Sequence, residues 1–258
     1  MQEEISDKEL QWLIDRAHRV TASETDNCFK QGKRKVDKKT GEDLTPQFGA
    51  AAITYINEKA TYIREDDMAD QIHAYSLDFG KMGELMAVEW LEENSGMDEI
   101  VSGTHSDGAI EFRTYAGEAG GDSTDYFVIN SDGEEYAVGE IKCPSNRVKA
   151  LNLTTESLVD RDEYKKEYFD QFATHLVASP KAKELHYCIY NAHVNNKTGL
   201  PYNRAVVLKY KREEFQERIE QIEYRVPRVY EFILLVAKME KKAGEVNEWW
   251  KEKGYEKI

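Results

Sequence analysis

Residues 120–144 alternate apolar and polar side chains around Asp132-Gly133, and no other stretch constrains the fold as strongly. Alternation with period two marks a strand with one buried face, and Asp-Gly marks a tight turn because both positions tolerate positive φ. A two-residue loop at Asp132-Gly133 sets Ser131 opposite Glu134, Ile129 opposite Tyr136, Phe127 opposite Val138 and Asp125 opposite Glu140. The two carboxylates then face each other with Cβ atoms about 5 Å apart, and Lys142 shares their face. Opposed like charges destabilise a sheet unless a cation lies between them, so the pattern asks for a hard divalent metal such as Mg²⁺. Asp122 is a second acid just ahead of the hairpin. The register favours Asp125 over it, and a β-bulge would reverse that preference.

The 258 residues are enough for a substantial core, and 40% hydrophobic with 33% charged residues is a globular balance. The start Met1-Gln2-Glu3-Glu4 has neither the basic nor the apolar part of a signal peptide, and no apolar run reaches bilayer length. Three widely spaced cysteines, Cys28, Cys143 and Cys188, form no Cys-x-x-Cys pair and fit a reducing compartment. A soluble, cytoplasmic protein is expected. A formal net charge of −14 argues against a nucleic-acid partner, but distribution can override the total. Lys30, Lys33, Arg34, Lys35, Lys38 and Lys39 make a local cationic loop, with Asp37 as its one acid.

Along the chain, apolar spacing predicts a helix over 4–18 with Leu10, Trp12, Leu13 and Ala17 inward and Trp12 as a core anchor. Thr21 or Ser23 can cap a short helix through residue 29, whose free N–H groups beside Arg16 and Arg19 suit an anion. A helix over 49–64 buries Ala51, Ala52, Tyr55, Ile56 and Ala60, and one over 69–94 carries the stripe Leu77, Lys81, Glu84, Val88, Leu91. Strands over 99–102 and 109–115, joined by a turn at 105–108, should extend the hairpin's sheet. Helices follow over 145–158 and 160–178, the second bearing Tyr164, Tyr168, Gln171, His175 and Leu176. Strands over 185–192 and 205–210 flank a loop at 195–199. A helix over 211–242 buries Phe215, Ile219, Ile222, Val226, Tyr230, Ile233, Leu234 and Ala237, with a kink near Pro227, and Trp249 and Trp250 cover the core or a neighbouring subunit. No domain linker stands out, so one α/β domain over 1–258 is expected.

Asp125 followed by Glu140-Ile141-Lys142 is the motif of the PD-(D/E)XK nuclease superfamily. The chain further resembles the phage-type recombination exonucleases, of which the bacteriophage lambda enzyme is one. The resemblance runs from about Trp12 to Gln171, through Trp12, Arg16, Thr21-Ala22-Ser23, Gly80-Lys81-Met82-Gly83-Glu84, Ser123-Thr124-Asp125, Glu140-Ile141-Lys142-Cys143-Pro144 and Gln171. It departs at His18, where the family has Gly. The resemblance implies a restriction-endonuclease-like α/β core at 69–210, a central mixed β-sheet flanked by helices. An N-terminal helical part at 1–68 holds the basic loop 30–39, and a long C-terminal helix lies within 211–258.

What the resemblance implies for chemistry is Mg²⁺, two ions replaceable by Mn²⁺, held by Glu84, Asp125, Glu140 and the Ile141 carbonyl, with Lys142 orienting the attacking water. Arg16, Ser23 and Gln171, with Lys142, would hold the 5′-terminal phosphate of linear duplex DNA. The implied activity is 5′→3′ exonuclease digestion that leaves 3′ single-stranded tails, with a single-strand-annealing protein as partner and a homotrimeric ring around DNA. If phage-encoded, the protein would act in the bacterial cytoplasm. Two alternatives stay open: a PD-(D/E)XK endonuclease or exonuclease of other polarity, and a DNA-end-binding protein without turnover.

Overall fold

The computed structural model describes residues 7–41, 43, 46–66, 75–105, 109–155 and 159–239, with the side chains of 75–78 outside the description. The chain divides after Ala69, Phe112, Asp122 and Gln216 into two compact units, each built from separated segments. Among the described residues no helix is long and apolar enough to cross a membrane. Trp249 and Trp250, most of the turn at 105–108, and the starts or ends expected for the helices at 4–18, 69–94, 145–158 and 211–242 lie outside the described residues.

The first unit holds α1 (Asp7–His18), β1 (Val20–Thr21), a 3-10 helix (Ala22–Phe29), α2 (Ala50–Glu65), β3 (Arg113–Tyr115), β4 (Gly120–Asp122) and most of α7 (Gln216–Met239). Helix α1 buries Leu13 and Ala17, whereas Trp12 is half-buried with the Arg16 guanidinium 4.8 Å from its ring centre. The expected core anchor is thus a platform for an arginine. Helix α2 starts after Gly49 and buries Ala52, Tyr55, Ile56 and Ala60 as expected, while Ala51 is exposed. Its fifth buried position is Lys59, whose Nζ donates to the Arg16 carbonyl at 2.6 Å and pairs with Glu24 Oε2 at 3.0 Å.

Helix α7 continues through Pro227 and packs Ile219, Ile222, Val226, Val229, Phe232, Ile233, Val236 and Ala237 inward, while Leu234 is exposed and Tyr230 only half-buried. Arg225 lies on the same buried face, 1% exposed, and its Nε donates to the Cys28 carbonyl between the rings of Phe29 and Phe48. The short strands form a three-stranded sheet in the order β1-β4-β3. Two expectations are corrected here: residues 120–122 and 113–115 do not extend the hairpin but pair with one another in this separate sheet, with Asp122 opposite Arg113. Ile110 forms only an isolated bridge to Thr104.

The second unit holds α3 (Tyr75–Asn94), β2 (Glu99–Ser102), β5 (Tyr126–Ile129), β6 (Glu135–Lys142), α4 (Arg147–Leu153), α5 (Arg161–Glu167), α6 (Phe169–Ala178), β7 (Glu184–Asn191) and β8 (Arg204–Lys211). Its five-stranded sheet runs β2-β5-β6-β7-β8, with β6 and β7 parallel and every other pair antiparallel, so the sheet is mixed as expected. Parallel pairing of β6 with β7 requires a crossover, and α4, α5 and α6 supply it. Helix α3 packs Ala87, Val88 and Leu91 into a core shared with Ile100, Tyr126, Val128, Ala137, Ile141 and Cys188. The single helix expected over 160–178 is two, broken at Tyr168. The break lets the rings of Tyr164, Tyr168 and Phe172 all reach Tyr187, at 5.4, 5.4 and 5.2 Å between centres.

The hairpin differs from expectation in a specific way. Its loop is three residues long, because Asn130 N–H donates to the Glu134 carbonyl at 2.8 Å and Gly133, at φ +76°, closes the turn onto the Asn130 carbonyl. Asn130 Oδ1 also accepts from Asp132 and Glu134 N–H, which fixes the tighter tip. Ile129 therefore pairs with Glu135 and not Tyr136, and an irregularity between Val128 and Ile129 restores the register, so that Phe127 pairs with Val138.

Glu214 links two stretches of the second unit: its carboxylate meets Arg161 at 2.6 Å and Lys165 at 2.9 Å and caps Lys211 N–H at 2.8 Å. Partial burial would push this carboxyl up, but Lys165 and Arg161, with the Lys211 N–H, bring it down to about 2. A folded-state value below the unfolded one of about 4.3 contributes stability that is present above the unfolded value and lost as pH falls towards 2. With solvent screening of this one-quarter-exposed side chain, Glu214→Gln should cost about 1 kcal/mol at pH 7 and progressively less as pH falls through about 2. Urea unfolding of both proteins across that range checks it; a pH-independent difference would refute the ion-pair origin.

Candidate active site

Glu140 organises the site. It lies on the central strand β6, 4% exposed, and its two oxygens are engaged by three side chains. Lys142 Nζ and Gln171 Nε2, the latter at 2.8 Å, both donate to Oε1, and His175 Nε2 lies 3.1 Å from Oε2. Glu140 and Lys142 share a face because strand side chains repeat every two residues, and Gln171 and His175 share a face because they are one helical turn apart on α6. Burial alone would push the Glu140 carboxyl up; Lys142, then His175, overcome it and hold it down at about 2. Burial would lower Lys142 in turn, yet the charges of Glu140 and Asp125 raise it above the ordinary lysine range.

Asp125 stands one residue ahead of β5. Its N–H donates to the Gly139 carbonyl at 3.1 Å, which continues the register that sets it against Glu140, and its Oδ2 accepts from Ile141 N–H at 2.6 Å. Burial, then repulsion from Glu140 and Glu84, raises its pKa well above the aspartate range. Glu84 reaches the same region from α3, where burial, then Glu140, raises its carboxyl too. The approach of α3 depends on Gly83: a Cβ there would lie 2.6 Å from Cys143 Sγ and 2.8 Å from Cys143 Cβ. Burial and the charges of Glu84 and Asp125 push the Cys143 thiol up to about 12, so this cysteine is inert packing beside the acids.

Glu84, Asp125, Glu140 and Lys142 are thus brought within electrostatic reach of one another in the second unit. Gln171 joins them as a brace on Glu140. His175 and Gln171 share a turn of α6 that faces β6, and the helical spacing of four was the available signal for His175; sequence reasoning alone reads a lone buried histidine as structural. Arg16 and Ser23 belong to the first unit. Arg16 is held over Trp12 with its carbonyl bound by Lys59, and Ser23 is exposed near Thr21 Oγ1 at 3.4 Å. Asp122, opposite Arg113 in β4, also lies in the first unit. The basic loop has Lys30, Lys33, Arg34, Lys35, Lys38 and Lys39 all exposed, with Lys30 paired to Asp26 at 2.8 Å.

The donor set suits a hard cation in chemistry: three carboxylates and the peptide carbonyl of Ile141, all oxygen. In arrangement the carboxylates are not gathered for ligation. Among the described residues no group of three or more His, Cys, Asp or Glu side chains is set to hold a metal; Glu140 Oε1 accepts from two protein donors and Oε2 lies 3.1 Å from His175 Nε2.

The mixed sheet, with Asp125 one residue ahead of β5 and Glu140-Ile141-Lys142 at the end of β6, has the fold of two solved phage-type exonucleases. LHK-Exo, solved in complex with dAMP, matches 95% of this chain and 97% of its own at TM-score 0.58 and 17% identity. A phage-related exonuclease from Haemophilus somnus 129PT matches 86% of this chain and 96% of its own at TM-score 0.54 and 14% identity. No protein-family model matches. A probable transcriptional regulatory protein of Pelodictyon phaeoclathratiforme (strain DSM 5477 / BU-1) is 31% identical over 109 residues, 41% of this chain and 44% of that protein, so the chain spans under half the length of this relative.

Replacing Gly83 with alanine should lower stability by about 1–3 kcal/mol, because neither Cys143 nor the backbone of α3 can yield without disturbing the core. An unchanged urea midpoint for Gly83→Ala would contradict the close approach.

Proposed function

We propose that the chain is a divalent-metal-dependent nuclease that digests one strand of linear duplex DNA from its 5′ end and leaves 3′ single-stranded tails for recombination by strand annealing. The observation that carries the reading is the meeting of Glu84, Asp125, Glu140 and Lys142 at the centre of a phage-exonuclease fold. Three mutually repelling acids, two of them with raised pKa, are costly to fold unless a cation neutralises them. Glu84, Asp125, Glu140 and the Ile141 carbonyl would hold Mg²⁺, as one or two ions with Mn²⁺ able to substitute, once Glu140 gives up part of its contact with Lys142 or Gln171. When bound, such ions lower the pKa of water and neutralise charge on the scissile phosphate.

The protein groups divide the remaining work. Lys142, 40% exposed at its side chain, puts a fixed positive charge where the attacking water and phosphate oxygens meet. Gln171 holds Glu140 at Oε1 and has a second amide proton for a phosphate oxygen. Arg16, pre-set over Trp12, is the fork-shaped donor for a 5′-terminal phosphate, with Ser23, exposed at the start of the 3-10 helix that follows β1, as a second donor. The exposed cations between Lys30 and Lys39 would track the DNA backbone despite the net charge of −14, and a trimeric ring in the cytoplasm is the assembly the reading implies. A second reading is a DNA-end-binding protein without turnover, and the probable transcriptional regulatory role in the name of the Pelodictyon relative is compatible with it.

The deciding test offers linear 5′-phosphorylated duplex and closed-circular plasmid to the protein with Mg²⁺. Expected are mononucleotide release from the linear duplex, an intact circle, and at least about a 100-fold slower reaction for Glu140→Gln. Nicking of the circle would favour an endonuclease, and DNA binding with no release would favour the end-binding protein. Separately, Arg16→Ala should erase most of the preference for a 5′-phosphate over a 5′-hydroxyl end, about tenfold or more in initial rate; an unaltered preference would remove Arg16 from the end-binding role.

A further inference from the structure

The aromatic group beside Glu140 contains rings of two kinds. Tyr187 stands next to Glu140 in the parallel register of β6 and β7, and its ring lies 5.4 Å from Tyr164, 5.4 Å from Tyr168 and 5.2 Å from Phe172, tilted by 36°, 31° and 53°. Tyr187 and Phe172 are buried. Tyr164 and Tyr168 are only half-buried, and their rings are parallel to within 5° with centres 6.4 Å apart. Tyr168 is also the junction of α5 and α6, and one helical turn further on Gln171 donates to Glu140 at 2.8 Å. Lys142, on the same face of β6 as Glu140, and Tyr168 act on each other electrostatically. Burial is the first cause that raises the Tyr168 phenol above its ordinary range, so the ring stays neutral beside that lysine.

We propose that Tyr164 and Tyr168 form a stacking platform that takes the base of a nucleotide adjoining the phosphate held at Lys142. This deepens the nuclease reading and rests on it. The bland account is that both tyrosines complete the packing of α5 and α6 on the sheet. Packing alone draws rings out of water into tilted contact, as it does with Phe172 against Tyr187. Tyr164 and Tyr168 instead stay partly in water, align their planes, and adjoin a lysine whose side chain is 40% exposed. A fixed cation for the backbone and an aromatic face for the base are the two elements with which proteins hold a single strand. A base seated on the rings sets its neighbouring phosphate beside Lys142, and since every base has a π-face the platform carries no sequence preference of its own.

The test measures digestion of linear duplex by the full chain with Mg²⁺, for wild type, Tyr164→Leu, Tyr168→Leu and Tyr168→Phe. Each is given an ordinary end and ends with an abasic residue at the first or second position of the digested strand. On the ordinary end each leucine variant should lose about 5- to 100-fold in kcat/KM, while Tyr168→Phe, which keeps the ring, should stay within about twofold of wild type. The abasic residue should cost wild type a similar factor at one of the two positions, and there the leucine variants should lose little more. A merely structural role lowers ordinary and abasic substrates by the same factor, and that result overturns the proposal. Leucine variants equal to wild type on the ordinary end overturn it too. Thermal melting identifies a variant that does not fold; if Tyr168→Leu is one, Tyr164→Leu decides by the same comparison. Wild type that digests no linear DNA removes the nuclease reading and the platform with it; wild type that digests DNA equally well with an abasic residue at either position removes the platform alone.

Discussion

The burial of Glu140 is the constraint on which the second unit turns. A carboxylate on the central strand of a sheet loses its water, and it remains ionised only where donors replace that water. Lys142 supplies one from the same strand, and α6 supplies another through Gln171 and brings His175 Nε2 to 3.1 Å from the second oxygen. Removing one partner leaves a buried charge uncompensated, which is why the group acts as a unit and why α6 must sit where it does. The crossover that makes β6 and β7 parallel is also what brings α6 there, so topology and electrostatics specify the same arrangement.

The acids that surround Glu140 have the opposite character. Asp125 and Glu84 are held near it by backbone geometry and by the glycine contact of α3, and the structure offers them repulsion more than pairing. Such a cluster is stable only because the surrounding core is extensive. Stability is spent locally where function needs charge, and the aromatic group of Tyr164, Tyr168, Phe172 and Tyr187 packs directly beside it.

Much of this was legible in residue order. The pairing of Phe127 with Val138, the inward placing of Glu84 with Val88 and Leu91, and the convergence of Asp125, Glu140 and Lys142 follow from periodicities of 2 and 3.6, whereas Lys81 of the expected stripe is exposed and the mixed sheet came through the resemblance. What escaped has physical causes. The three-residue tip depends on Asn130 Oδ1 accepting two N–H groups, a side-chain choice that Asp132-Gly133 obscures. The separate three-stranded sheet joins Val20 to Gly120 across a hundred residues, and such short non-local pairs carry no local pattern. Buried Lys59 and Arg225 look like surface residues until backbone carbonyls are found to satisfy them, and His175 is recognisable only once its partner across the sheet is known. Arg16 and Ser23 were named through resemblance, and nothing in their local contacts alone distinguishes a phosphate clamp from a capped turn.

The hairpin tip contains two one-residue shifts of opposite sense, a longer loop and an irregularity two residues further down. Together they form a parity-preserving device: the loop can change without changing which side of the sheet Glu140 occupies, provided the irregularity changes with it. A lineage of such chains can therefore drift in its turn sequence while the acids keep their face. Residues 129–136 span the tip in either arrangement, so the exchange needs no insertion or deletion, and the acids keep their sequence spacing as well as their face.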